Sequence, residues 1–232
     1  MARPKKSRYV CNEPAYDSFS PNGISKEALQ EEMVVMSVDE YEVFRLLDFE
    51  QITQQECAMQ MKVARTTITE IYNQSRSKIA DAIVKGKKRY VIGLRGCKGT
   101  AIGFGRLLSF MLPEVNTIAD SECTSISRIQ DLKSGDVVLM FVFSRFYKID
   151  LDYMKVAKKS GAKIFLVIND VTSILSSYAD CILMVPTDSM NFCNSTTALN
   201  VITEYLLTLI SRKCEFKERI DRRDQITEDQ RL

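Results

Sequence analysis

Two hydrophobic rhythms divide the chain. From Arg65 onward, Ile68, Ile71, Tyr72, Ser75, Ile79, Ala82 and Ile83 recur at intervals of three, four and seven residues, the stripe of a long amphipathic helix. The opposite face carries Arg65, Thr66, Thr69, Glu70, Asn73, Arg76 and Lys78, read as exposed polar groups. Ahead of it, Ser37-Val38-Asp39-Glu40 opens an earlier helix, with Ser37 as cap and two acids suited to the positive end of the helix dipole. Thr53-Gln54-Gln55-Glu56 is a capping box before a short helix that turns Cys57, Ala58 and Met61 inward. Beyond Gly86 the rhythm changes. Five runs read as strands apolar on both faces: Tyr90–Leu94, Val115–Ala119, Val137–Phe143, Lys163–Ile168 and Cys181–Val185. Helical stretches at Ala101–Leu112, Ser125–Leu132, Leu151–Ser160 and Thr172–Tyr178 separate them, and a last helix covers Ser195–Arg212. Such alternation predicts a parallel sheet covered by helices. The charged tail from Lys213 has few large apolar residues and reads as a frayed or solvated end.

Charge is segregated along this pattern. Residues 1–12 hold four basic side chains and no acid, residues 13–61 two basic and eleven acidic, and residues 62–89 eight basic and two acidic. Basic charge at the N-terminal arm and along the long helix is the footprint that a phosphate backbone requires. The 232-residue chain has no histidine, which removes the commonest general base and metal ligand. Its seven cysteines form no C-x-x-C pair, so reduced thiols in a cytoplasm are expected, with no metal site and no cofactor. The longest apolar run, Val137–Phe143, is too short to span a bilayer, and no membrane partner is expected.

A capped short helix, a tight turn and an amphipathic helix with polar first turns make a helix-turn-helix. On this reading Arg65, Thr66, Thr67, Thr69, Glu70 and Asn73 face double-stranded DNA, and Arg3, Lys5 and Lys6 add phosphate contacts from the arm. Met1-Ala2-Arg3-Pro4-Lys5-Lys6, Val10-Cys11-x-Glu13-Pro14, Phe19-x-Pro21-x-Gly23, Ser37-Val38-Asp39-Glu40-Tyr41-Glu42-x-x-Arg45-Leu46 and Lys78-Ile79-Ala80-Asp81-Ala82-x-Val84-x-Gly86-Lys87 resemble the UPF series of small DNA-binding proteins. That resemblance covers about residues 1–88 and implies a sigma-factor-like helix-turn-helix. Ala64 stands where such proteins place a serine cap, leaving Thr66 or Thr67 as alternatives.

In an open α/β sheet a ligand lies beyond the carboxyl ends of the strands, where strand order switches. Arg95-Gly96-Cys97-Lys98-Gly99-Thr100 follows the first strand with two glycines and two cations, and Ser144-Arg145-Phe146-Tyr147-Lys148 follows the third with a hydroxyl, two cations and aromatic rings. Both loops suit a phosphate or another anion.

Gly93-Leu94-Arg95-Gly96-x-x-Gly99, Asp131-Leu132-Lys133-x-Gly135-Asp136-Val137, Ala157-Lys158-x-x-Gly161-Ala162-Lys163, Ala179-Asp180 and Val185-Pro186-Thr187 together resemble the SIS (sugar isomerase) domain of RpiR-type transcription regulators. The resemblance implies a sugar-phosphate pocket at the ends of the first and third strands. It further implies completion by the loop near Phe192–Thr196, hence Asn194 and Ser195, and a homodimer or dimer of dimers. The loop that is rich in serine and threonine in such domains keeps only Ser144 here.

The expected architecture is therefore α + α/β. A helix-turn-helix bundle occupies residues 1–88, a five-stranded parallel doubly wound SIS-like domain residues 89–212, and a charged tail residues 213–232. The leading functional reading is a cytoplasmic, non-enzymatic, DNA-binding transcription regulator that senses a phosphorylated sugar. Two alternatives stand beside it: a sugar-phosphate isomerase with an appended DNA-binding domain, and a constitutive DNA-binding dimer with a non-sensing scaffold.

Overall fold

The computed structural model describes residues 10, 37–120, 125–170, 172–190 and 192–228. Two compact units divide the chain, Met1–Ile79 and Ala80–Leu232.

In the first unit, α1 (Val38–Phe44) continues into a π-helical turn at Arg45–Phe49, followed by α2 (Gln54–Gln60) and the start of α3 (Arg65–Lys85). Both expected caps form. The Glu40 carboxylate accepts from the Ser37 backbone N–H at 2.6 Å, and Thr53 Oγ1 accepts from Glu56 N at 3.2 Å while Glu56 returns a bond to Thr53 N at 2.7 Å. The turn between α2 and α3 puts Lys62 in the left-handed region at φ 53°. Val43, Leu46, Cys57, Ala58, Met61, Ile68 and Ile71 close into one core, as the periodicity of α3 requires.

The second unit is a five-stranded, all-parallel sheet: β1 (Arg89–Gly93), β2 (Val115–Ile118), β3 (Val137–Val142), β4 (Lys163–Ile168) and β5 (Cys181–Met184). Its order, β2-β1-β3-β4-β5, places the switch between β1 and β3. One face packs Ile92, Val138, Met140, Ile164 and Leu166 with Tyr153, Met154 and Ala157 of α5 (Lys148–Ser160). On the other face Phe141 meets Phe104 of α4 (Lys98–Met111) edge to face, with ring centroids 5.7 Å apart. α6 (Thr197–Ser211) packs beside α4.

Three expectations are corrected here. The connections expected as helices over 125–132 and 172–178 contain short 3-10 turns instead, Ser125–Ile129 and Ile174–Tyr178, each anchored to the sheet by a fully buried side chain, Ile129 and Leu175. The charged tail is helical: α7 (Lys217–Glu228) docks without an apolar stripe. Arg219 donates to the carbonyls of Ser109 (3.1 Å) and Leu112 (3.4 Å) at the end of α4, and the Arg223 guanidinium lies 4.4 Å over the Phe110 ring.

The last turn of α3 is bolted to the sheet by its neighbour in sequence. Arg89, 4% exposed, donates from Nε to Ile83 O at 2.9 Å, from Nη2 to Val84 O, and from Nη1 to Pro113 O at 3.1 Å. Ile83 and Val84 are among the final carbonyls that an α-helix leaves without an internal partner. Replacing Arg89 with methionine keeps the apolar stem but orphans these buried acceptors. It should cost about 3 kcal/mol of stability in urea unfolding, given about 1–3 kcal/mol for each unsatisfied buried group. Arg89→Lys, which retains one donor group, should cost less.

Candidate functional site

The helix-turn-helix face is built by α3. Arg65, Thr66, Glu70 and Asn73 are exposed, and Thr67 and Thr69 are half-buried. Thr69 Oγ1 donates to Gln54 Oε1 at 3.1 Å, tying the second helix to the start of the first. The helix begins at Arg65, and the Ala64 carbonyl accepts from Thr67 N and Ile68 N. Thr66 and Thr67 therefore lie inside the first turn, and neither is the cap. Arg3, Lys5 and Lys6 lie outside the described residues.

Two cations of the supposedly exposed face are structural. Lys78 pairs with Glu40 at 2.5 Å. Arg76 stacks over the Tyr72 ring, 3.9 Å from its centroid, while the Tyr72 hydroxyl donates to Asp48 Oδ1 at 2.8 Å. Asp48 is 7% exposed, and its Oδ2 has no hydrogen-bond partner among the described residues. Burial pushes its carboxyl up to about 6, against the lowering effects of Tyr72 and Arg76, and pushes the Tyr72 phenol up as well. Sequence spacing gave no sign of this cluster, because Asp48 and Tyr72 meet only through packing.

In the second unit the loops after β1 and β3 come together at the switch point. A Cβ on Gly93 would stand 2.5 Å from Ala101 Cβ, so glycine is what lets α4 start so close to the strand end. The Arg95 guanidinium lies 4.5 Å over the Tyr147 ring, and its Nη2 is 2.5 Å from Asp150 Oδ2. Asp150, fully buried, also accepts from Tyr147 N at 2.8 Å, and its Oδ1 has no hydrogen-bond partner among the described residues. Arg95 and Arg145 both take left-handed backbone, at φ 51° and 76°. Arg145 and Lys148 are exposed, and a Cβ at Gly96 or Gly99 would meet nothing within 4 Å.

Ser144 is tied directly to Asn169 and through it to Thr187, two residues absent from the sequence-based site. Asn169, at the end of β4, accepts from Ser144 N and donates to Ser144 Oγ, both at 2.7 Å, and donates to Thr187 Oγ1 at 3.0 Å. The available signal was position alone: Asn169 directly follows a strand, and Thr187 follows β5. The 194–195 loop reaches the same edge, since Ser195 N donates to Thr187 O at 2.9 Å; Asn194 is exposed. Thr100 is spent on Asn200 of α6, 2.7 Å away.

One assigned residue turns away from the crevice and another lines a second groove. Cys97 is 2% exposed, and burial pushes its thiol up to about 12, so it is a neutral core side chain. Lys98 opens α4 and lines a groove beside β2.

Comparisons with known proteins divide along the same lines. A family model described as "Protein of unknown function DUF134" matches residues 1–98. A UPF0251 protein of Desulfitobacterium hafniense (strain Y51) is 44% identical over 108 residues, 46% of this chain and 85% of the relative. A UPF0251 protein of Thermoanaerobacter pseudethanolicus is 45% identical over 93 residues, 40% of this chain and 77% of the relative. Among solved structures, the sugar isomerase domain of an RpiR transcription factor from Sphaerobacter thermophilus superposes with a TM-score of 0.56 at 18% identity, covering 63% of this chain and 80% of that one. The Vibrio vulnificus NanR protein complexed with ManNAc-6P gives 0.56 at 12% identity, covering 89% and 98%. At these identities the structural likeness carries the fold.

The Asp48 cluster makes a pH test. An acid whose folded value is about 6 against an ordinary 3.8 favours the protonated folded state. Stability from this group is thus full below about pH 4 and is lost as pH rises through about 6, by roughly 3 kcal/mol in all. Hydrogen-exchange protection of the Ile68–Arg76 amides, compared between the natural chain and Asp48→Asn at each pH, should show that loss only with aspartate. A difference that stays flat from pH 4 to 7 contradicts it.

Proposed function

The chain belongs to the UPF0251 family, and from that premise we propose a DNA-binding transcription regulator whose SIS-like unit binds a phosphorylated sugar. Residues 1–88 form the DNA-binding module and residues 89–212 the sensing module, working as a dimer in the cytoplasm. The observation that carries the reading is the convergence of the β1 and β3 loops at the switch point. Arg95 is stacked on Tyr147, Arg145 and Lys148 are exposed beside them, and Ser144-Asn169-Thr187 is a ready hydrogen-bonding edge. The cations answer the phosphate, and the amide and hydroxyls answer sugar hydroxyls. A neighbour solved with ManNAc-6P supports the ligand class.

Isomerisation is the second reading, and the site's chemistry disfavours it. Moving a proton next to a carbonyl needs a base within reach of the substrate. Asp150, a carboxylate beside Arg95, is fully buried and engaged by Arg95 and the Tyr147 amide, so it is not free to serve as that base.

On the DNA side, Arg65, Thr66, Glu70 and Asn73 are presented as major-groove readers, with Thr67 and Thr69 beside them. Arg65→Ala combined with Asn73→Ala should weaken binding to a specific operator by about 2–6 kcal/mol, at about 1–3 kcal/mol per base contact, with the fold intact by circular dichroism. Unchanged DNA retention removes the assignment. Removing Arg3, Lys5 and Lys6 should instead flatten the salt dependence.

A thermal-shift screen of hexose and hexosamine monophosphates tests the sensor. A hit should lose about tenfold in affinity on Asn169→Ala, the loss of one or two hydrogen bonds. The junction runs through Gly86-Lys87-Lys88, held to the sheet by Lys87 N to Gly135 O (2.9 Å) and Lys88 N to Asp136 Oδ1 (3.1 Å). Effector control through it requires a ligand that prefers one arrangement of the dimer, whose recognition helices must match half-sites about 34 Å apart. A Gly-Ser insert after Gly86 should leave sugar binding intact and abolish its effect on DNA affinity.

A further inference from the structure

Helix α4 sets Lys98, Ile102, Arg106 and Ser109 on one side of a groove of about 410 Å³, whose other side is Val115, Thr117 and Ala119 of the edge strand and its end. Gly105 fixes its floor: a Cβ there would stand 2.0 Å from Thr117 Oγ1, so only glycine lets the helix lie this close to the strand. Arg128 walls the far end. It donates to Thr117 O at 2.9 Å and pairs with Asp120 at 3.0 Å, yet remains 47% exposed. These two bonds aim the guanidinium and leave part of it open. Lys98 and Arg106 make no ion pair with any described residue.

We propose that this groove is a second anion site, distinct from the β1/β3 crevice, for an elongated organic molecule with two anionic groups flanking an uncharged ring. Three cations against one acid give the lining a net positive charge, and a volume of this order matches a small-molecule site. Lys98 and Arg106 are eight residues apart, so their backbones are separated by about 12 Å along the helix. Two separated anionic groups engage both ends, whereas one phosphate engages one end at a time. Ile102, midway between the cations and 46% exposed, forms with Val115 and Ala119 an apolar bed for the ring. Sugar bisphosphates and nucleoside bisphosphates share this chemistry. The site needs nothing from the crevice, and it gives Lys98 its place.

Isothermal titration of the full chain at low salt tests the proposal with fructose 1,6-bisphosphate, adenosine 3',5'-bisphosphate, fructose 6-phosphate and inorganic phosphate. At least one bisphosphate should bind about tenfold or more tightly than inorganic phosphate, and which one binds identifies the source. Arg106→Ala, at an exposed position, and Arg128→Ala should each weaken it about tenfold, the loss of a charge-assisted contact. Asn169→Ala should leave bisphosphate binding unchanged, and Arg106→Ala should leave any monophosphate binding at the crevice unchanged. The proposal is overturned if neither bisphosphate binds, if Arg106→Ala has no effect, or if Asn169→Ala removes bisphosphate binding. The last result places the bisphosphate in the crevice and leaves the sugar-phosphate reading standing.

Discussion

The buried guanidinium of Arg89 holds together three things that the chain brings to one place: the end of α3, the start of β1 and the loop before β2. Its donors reach carbonyls of Ile83, Val84, Lys87 and Pro113. A buried cation without a carboxylate on it is tolerated because helix-end carbonyls carry the negative pole of the helix dipole. Burial lowers the guanidinium from its ordinary value, with the negative charge of Asp136 acting against that fall. Asp136 is itself held by the backbone of Lys88 and Lys133, so the strand-start edge of the sheet is one polar network. The consequence is mechanical: α3 cannot end anywhere else, and β1 starts in fixed register with β3, Arg89 opposite Val137.

From that register the opposite edge follows. Parallel strands point their carboxyl ends the same way, and the β1/β3 switch parts the following helices to opposite faces. Loops 95–100 and 144–148 therefore meet there, with Arg95 over Tyr147, although 43 residues lie between the two loops in the sequence. Arg95 is held both by an aromatic face and by Asp150, so it is pre-oriented while its charge is already partly answered. The exposed cations Arg145 and Lys148 carry the unanswered charge at this edge.

The first unit shows a local conflict of a different kind. Asp48, Tyr72 and Arg76 bury a carboxylate against a phenol and a stacked guanidinium, a more costly solution than an apolar contact. It ties the π-helical turn after α1 to α3 by directional bonds, at the expense of a carboxyl held above its ordinary range.

The sequence alone determined what depends on short-range periodicity. The stripe from Ile68 to Ile83, the Thr53–Glu56 box and the five apolar runs specify their elements because each signal lies within a few residues of what it orders. The positions of the two cationic loops were legible for the same reason: each directly follows a strand. Tertiary structure decided the partners. That Arg76 and Lys78 serve Asp48 and Glu40 rather than solvent, that Cys97 turns inward, and that Asn169 and Thr187 complete the Ser144 edge depend on residues tens of positions apart meeting across the fold. The helical tail is the plainest case. Its residues carry no apolar stripe, and the carbonyls at the end of α4 and the ring of Phe110 are what hold Arg219 and Arg223 against the fold.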